Sequence, residues 1–137
     1  MSNQEKLLAL KGIAATVLAV LAQLLGGADA WLLTLIGFTL ADYITGLCKG
    51  IITKTLASGT AFRGGLKKLL LYCIIGVAVA LDRLLLPNTP LLRHLAVGYY
   101  IATEGLSILE NIGACGVTFP KKVREVLQAL KEQNERK

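Results

Sequence analysis

Histidine is nearly missing from this chain, which has one, His94, and its three cysteines, Cys48, Cys73 and Cys115, lie far apart. A metal centre built on imidazoles or thiolates therefore has no ligand set, and no cysteine pair has the spacing of a zinc or redox motif. Also absent are a glycine-rich phosphate loop, a nucleophile elbow and an H-E-x-x-H helix. Nothing in the sequence supports an enzyme, and neither catalytic residues nor a cofactor are expected. Acids are scarce as well, with nine Asp and Glu against fifteen Lys and Arg, a net charge of +6. A basic balance can signal nucleic acid, but a nucleic-acid module gathers its cations on one solvated face with aromatics among them. Here the cations flank apolar runs, which is the pattern of membrane topology.

Those runs dominate. Hydrophobic residues make up 54% of the 137 residues and charged ones 18%, with a mean hydropathy of +0.59. An ordinary soluble domain carries about 25% charge. Residues 13–25, 30–41, 69–81 and 95–103 contain no Asp, Glu, Lys or Arg. The expected fold class is an all-α integral membrane protein of helical hairpins, with four transmembrane helices and a short amphipathic C-terminal helix.

A bilayer core about 30 Å thick needs about 20 apolar residues in helix. Spans are expected at 7–25, 30–48, 66–86 and 91–112, with a basic cytosolic loop at 49–65. Residues 1–116 form the membrane domain, and 117–137 form a charged cytosolic tail helix in which Val123, Val126, Leu127 and Leu130 recur at helical spacing. The first segment also resembles a secretory leader, since Lys6 and Lys11 precede the run and Ala28-Asp29-Ala30 has A-x-A form; a retained span is the preferred reading. The fourth segment is the least secure span, because Glu104 lies deep inside it. Counting cations fixes an orientation. Lys6 and Lys11, then Lys49, Lys54, Arg63, Lys67 and Lys68, then the tail lie on one side, against Arg83 and Arg93 on the other. Four spans with both termini in the cytosol satisfy the positive-inside rule.

Polar residues inside the spans are the candidate site. Asp42 lies about 10 Å below Lys49 by helix rise, on a face shared with Thr34, Phe38 and Thr45. Intramembrane carboxylates avoid lipid, so Asp42 faces either an interface or aqueous path, paired with Lys67 or Lys68, or a local partner at Thr39 or Thr45. Gly46-x-x-x-Gly50 offers a small-residue patch for close helix approach. In the fourth segment Tyr100, Glu104, Ser107 and Asn111 form one polar stripe, which suits either an oligomer interface or pore lining, or an amphipathic helix packed within one chain. The central basic segment, with Ile51, Ile52, Leu56 and Phe62, suits contact with anionic membrane lipids.

Asp42, Thr45-Gly46, Lys49, Ser58-Gly59 and GGLKK at 64–68, followed by EGLSILENIGACGVTFPKK at 104–122, resemble the signature of the toxin-secretion and phage-lysis holin family. That resemblance covers most of the chain from Asp42 onwards. It implies a bacterial cytoplasmic-membrane protein that forms homo-oligomers and opens lesions through which an endolysin or large toxin leaves the cytosol. The motif residues it carries over are Asp42, Gly46, Lys68, Glu104, Ser107, Glu110 and Asn111. With Thr45, Lys49, Gly50, Lys67 and Tyr100 they make the expected pore or oligomer-interface set. The alternative is a non-lytic small channel or oligomeric scaffold, which would share spans and topology.

Overall fold

The structure, a computed structural model, describes residues 2–126 and 129. Leu127, Leu130 and the rest of the expected tail helix lie outside the described residues; the tail is helical over 121–126. Four long helices come first: α1 (Asn3–Leu24), α2 (Ala30–Ile52), α3 (Ser58–Leu85) and α4 (Leu91–Ala114). Among the described residues there is no strand.

Each helix begins and ends for a local reason. Ser2 and Glu5 form a reciprocal capping box at the start of α1. Asp29 caps α2 by accepting from the Leu32 N–H at 3.0 Å. Helix α1 ends in a double turn: Gly26 N–H returns to the Gln23 carbonyl and Gly27 N–H to that of Ala22. This closure needs a left-handed residue after the cap, and Gly26 supplies it at φ +86°. Helix α4 has no side-chain cap of its own at Pro90. Asp82, from the end of α3, takes that role instead, accepting from the N–H groups of Leu92 and Arg93 at 2.9 and 2.8 Å.

Hydrogen bonds between helices fix the register. Asp29 at the start of α2 meets Arg93 at the start of α4, and Asp42 meets Asn111 near the other end, so α2 and α4 run parallel. Lys68 and Tyr72 of α3 meet Asp42 and Thr39 in reverse order, so α3 runs against them. Leu35, Leu71, Ile75, Val79 and Val97 form the shared core. On the α2–α4 seam Gly105 lets the Phe38 ring approach, since a Cβ there would stand 3.1 Å from it.

That core is thin, and the outer surface is apolar. Helix α1 buries none of its residues, and Leu8 and Leu18 are 68% and 66% exposed. A helix that is apolar all round and unburied by its own chain has lipid as its natural surroundings. Among the described residues, α1 and α2 are the two helices long and apolar enough to cross a membrane.

One expectation is corrected. The basic segment 49–65 is not a loop, because α2 runs on to Ile52 and α3 starts at Ser58, leaving a turn at 53–57. Lys54 adopts a left-handed φ of 55° in that turn, closing α2 much as Gly26 closes α1. Gly64 and Gly65, which read as breakpoints, sit inside α3 on its half-buried side, and Gly65 lies beside Tyr43. Their missing side chains cost helix propensity, about 1 kcal/mol each relative to alanine. A Cβ at Gly64 would meet nothing within 4 Å and one at Gly65 only the Tyr43 ring at 3.9 Å, so no close helix approach requires either glycine.

Candidate functional site: a charged junction of three helices

Asp42, Lys68 and Glu104 come from α2, α3 and α4, and each projects from the helix face turned towards the other two. Asp42 and Glu104 are buried, at 8% and 7% exposure. The Lys68 ammonium lies between them, 2.5 Å from the Asp42 carboxylate and hydrogen-bonded also to Glu104. Asn111 donates to the second Asp42 oxygen at 2.9 Å and lies 3.3 Å from the Thr45 hydroxyl. Thr45 donates to its own helix at the Asp42 carbonyl. One level down, the Tyr72 hydroxyl bonds that of Thr39 at 3.0 Å.

Two carboxylates share one ammonium, so the junction carries one excess negative charge in a poorly solvated place. Charges leave water at a cost of several kcal/mol each, and are retained where they are paired and hydrogen-bonded. No buried side-chain polar atom is left without a partner among the described residues. A cavity of about 350 Å³ opens beside the junction, walled by Asp42, Gly46, Gly64, Lys68, Asn111 and the Thr55–Ala57 turn. It connects the basic end of the bundle with the buried charges.

Of the expected site residues, the structure gathers Asp42, Thr45, Gly46, Lys68, Glu104 and Asn111. Gly46 faces the Asn111 amide, and Gly50 faces Leu56 of the following turn rather than another helix. Tyr100 packs against the core, and Ser107 is half-buried on the same stripe. Lys67 and Glu110 are exposed and stand apart from the junction, and Lys68 is the partner of Asp42. Thr39 serves Tyr72 and not Asp42.

A second cluster, at the opposite end, was missed by sequence reasoning. Arg93, with its side chain 4% exposed, reaches across from α4 to the α1–α2 turn. Its guanidinium donates to both Asp29 oxygens, at 2.6 and 2.9 Å, and to the carbonyls of Leu25 and Gly27. Arg83 donates to the Gln23 carbonyl at 2.7 Å. Trp31 and His94 stack edge to face beside this clasp, with ring centroids 5.1 Å apart. The available signal was that Asp29, Asp82 and Arg93 border the α1–α2 and α3–α4 turns, neither of which holds a cation.

Hydrogen bonding from Arg93 holds the Asp29 carboxyl at about 2, below its ordinary 3.8; burial opposes this and the Leu32 N–H adds to it. A lowered folded-state value means that the stabilisation is complete above the unfolded value and is lost as pH falls through the folded one. The stability difference between the wild-type chain and Asp29→Asn should therefore stay constant from pH 7 down to about 4.5, then shrink as pH falls towards about 2. Unfolding curves of the detergent-solubilised chain across that range check this. A difference that disappears between pH 6 and 7 would mean that the clasp is not held by Asp29.

Residues 19–132 match the bacteriophage holin family. A probable holin of Bacillus phage phi105 is 36% identical over 70% of this chain and 70% of its own length. An uncharacterized 14.9 kDa protein of Clostridium perfringens is 46% identical over 82% of this chain and 83% of its own. The uncharacterized protein YqxH of Bacillus subtilis is 34% identical over 80% and 77%. No solved structure matches the chain. The matched segment runs from the last turns of α1 through α2, α3, α4 and into the tail, and so takes in the whole charged junction; the chain belongs to the bacteriophage holin family.

Proposed function

We propose that this protein is a holin of the bacterial cytoplasmic membrane that assembles with copies of itself and opens lesions through which an endolysin or a large toxin leaves the cytosol. Family membership and the two apolar helices point to a membrane location and to a holin-like, non-enzymatic role. All four helices cross the bilayer in this reading, with both termini and the tail in the cytosol. The cation distribution and the antiparallel order of α2, α3 and α4 support that topology.

The observation that carries the mechanism is the Lys68 bridge. Its carboxylate partners are satisfied within a single chain, which supports reading this arrangement as a resting protomer able to accumulate without opening lesions. Helices held together at this level by a polar junction and a thin apolar core can exchange those contacts for equivalent ones between copies, because lipid supplies no hydrophobic force to oppose the exchange. On assembly Asp42, Thr45, Lys68, Glu104, Ser107 and Asn111 would change from internal partners to interface or pore lining.

The test is induced expression in a bacterial host carrying a soluble cytosolic reporter enzyme, with reporter activity followed in the medium. Abrupt release after a lag, with normal growth beforehand, is the expected result. Asp42→Asn and Glu104→Gln each remove the excess charge from the junction, and each should shift the lag by a clear fraction of its length at equal membrane abundance. Membrane insertion without reporter release would replace this reading with a non-lytic channel or scaffold.

A further inference from the structure

Away from the charged junction, a cleft runs between the tail helix and the α2–α4 face. Its upper part, a cavity of about 530 Å³, is walled by Lys49, Glu110, Thr118, Phe119 and Arg124 together with the end of α4. Its lower part, about 550 Å³, is lined by Phe38, Ile101, Gly105, Leu106 and Val126, with Lys122 at the rim. Leu109 forms a wall of both, so polar slot and apolar groove are continuous. The slot brings together two cations and one carboxylate, leaving one positive charge for a ligand.

The dimensions identify the occupant. Lys49 and Phe38 are eleven residues apart on one helix, roughly 16 Å by helix rise. Half of a hydrocarbon core is about 15 Å. A ligand with its charge at Lys49 and its apolar part beside Phe38 therefore spans one leaflet. The cleft lies at the end of the bundle where the cations gather, which in the membrane-spanning reading faces the cytoplasmic leaflet, rich in anionic lipid. We propose that this cleft binds one anionic phospholipid, its phosphate between Lys49 and Arg124 and an acyl chain along Phe38, Ile101 and Gly105. The bound lipid would seat the tail helix against α4.

This inference rests on the membrane-spanning reading, and its test separates the two. The full chain, purified in a neutral detergent, is mixed with equimolar phosphatidylglycerol and phosphatidylcholine of identical acyl chains, and retained lipid is counted by native mass spectrometry. The one uncompensated positive charge of the slot implies a preference of about fivefold for phosphatidylglycerol. The double variant Lys49→Gln/Arg124→Gln, which leaves Glu110 unopposed in the slot, should abolish or reverse that preference, whereas Glu110→Gln should keep or raise it. Millimolar inorganic phosphate should not displace the lipid, because the acyl groove contributes to its retention. Equal retention of the two lipids, or a preference unchanged in the double variant, would overturn the proposal. So would a shift in oligomer distribution without loss of lipid, which would assign the cleft to a second copy. Resistance of both chains to carbonate extraction from membranes, measured in parallel, shows whether the membrane-spanning reading stands independently.

Discussion

Lys68→Met is expected to destabilise the protomer by about 3 kcal/mol or more, because removing one partner from a buried ionic group leaves the others uncompensated. Here the loss is doubled, since the one ammonium serves both Asp42 and Glu104. Counting charge at the junction orders the variants. The wild type carries one excess negative charge, Asp42→Asn or Glu104→Gln carries none, and Lys68→Met carries two. Both amide variants should therefore be mild, with Glu104→Gln milder because Asp42 also receives the Asn111 amide. Lys68→Met should be severe, and the triple variant Asp42→Asn/Lys68→Met/Glu104→Gln should recover most of the loss. Unfolding of the detergent-solubilised chain by a denaturing detergent reads this order. A Lys68→Met chain as stable as wild type, or a triple variant no better than the single one, would show that the Lys68 bridge does not hold the three helices together.

The same distinction explains how much could be read without coordinates. Apolar runs made the helices legible, because lipid demands continuous hydrogen-bonded backbone and the runs have helical length. The fourth helix was expected from 91 to 112 and runs from Leu91 to Ala114. The polar stripe on it was legible for a related reason: a carboxylate in an apolar helix must face a partner, and Glu104 does. What stayed hidden depended on chain reversal. The segment 49–65 has the glycine and charge content of a loop, yet Gly59, Gly64 and Gly65 lie inside α3, whose later residues pack against α2 and α4. Local composition reports propensity, and tertiary contact overrode it. The pairing of Arg93 with Asp29 joins residues far apart in sequence; four alternating spans already make α2 and α4 parallel, but not side by side, and the pairing needs both. No spacing rule contains that fact.

The clasp should break most sharply at a residue with no side chain. Gly26→Ala is expected to cost about 4 kcal/mol, through two separate effects. A left-handed backbone costs an L-residue about 1–2 kcal/mol, and Gly26 sits at φ +86°. In addition, its new Cβ would stand 2.5 Å from the Arg93 Nε and 2.6 Å from Cδ, so the guanidinium must leave its place. Displacement removes four hydrogen bonds at once and leaves a buried cation and the Leu25 and Gly27 carbonyls unpaired. The neighbouring Gly27 provides the control. Its φ is +104°, yet nothing lies within 4 Å of a Cβ there, so Gly27→Ala should show the backbone cost alone. The two effects also predict strong non-additivity: with Arg93 already truncated to alanine, adding Gly26→Ala should cost no more than Gly27→Ala does. Unfolding of the four variants in detergent checks this. Equal losses for Gly26→Ala and Gly27→Ala would mean that Arg93 does not lie over the turn, and full additivity would mean that its contacts contribute nothing to closing the α1–α2 hairpin.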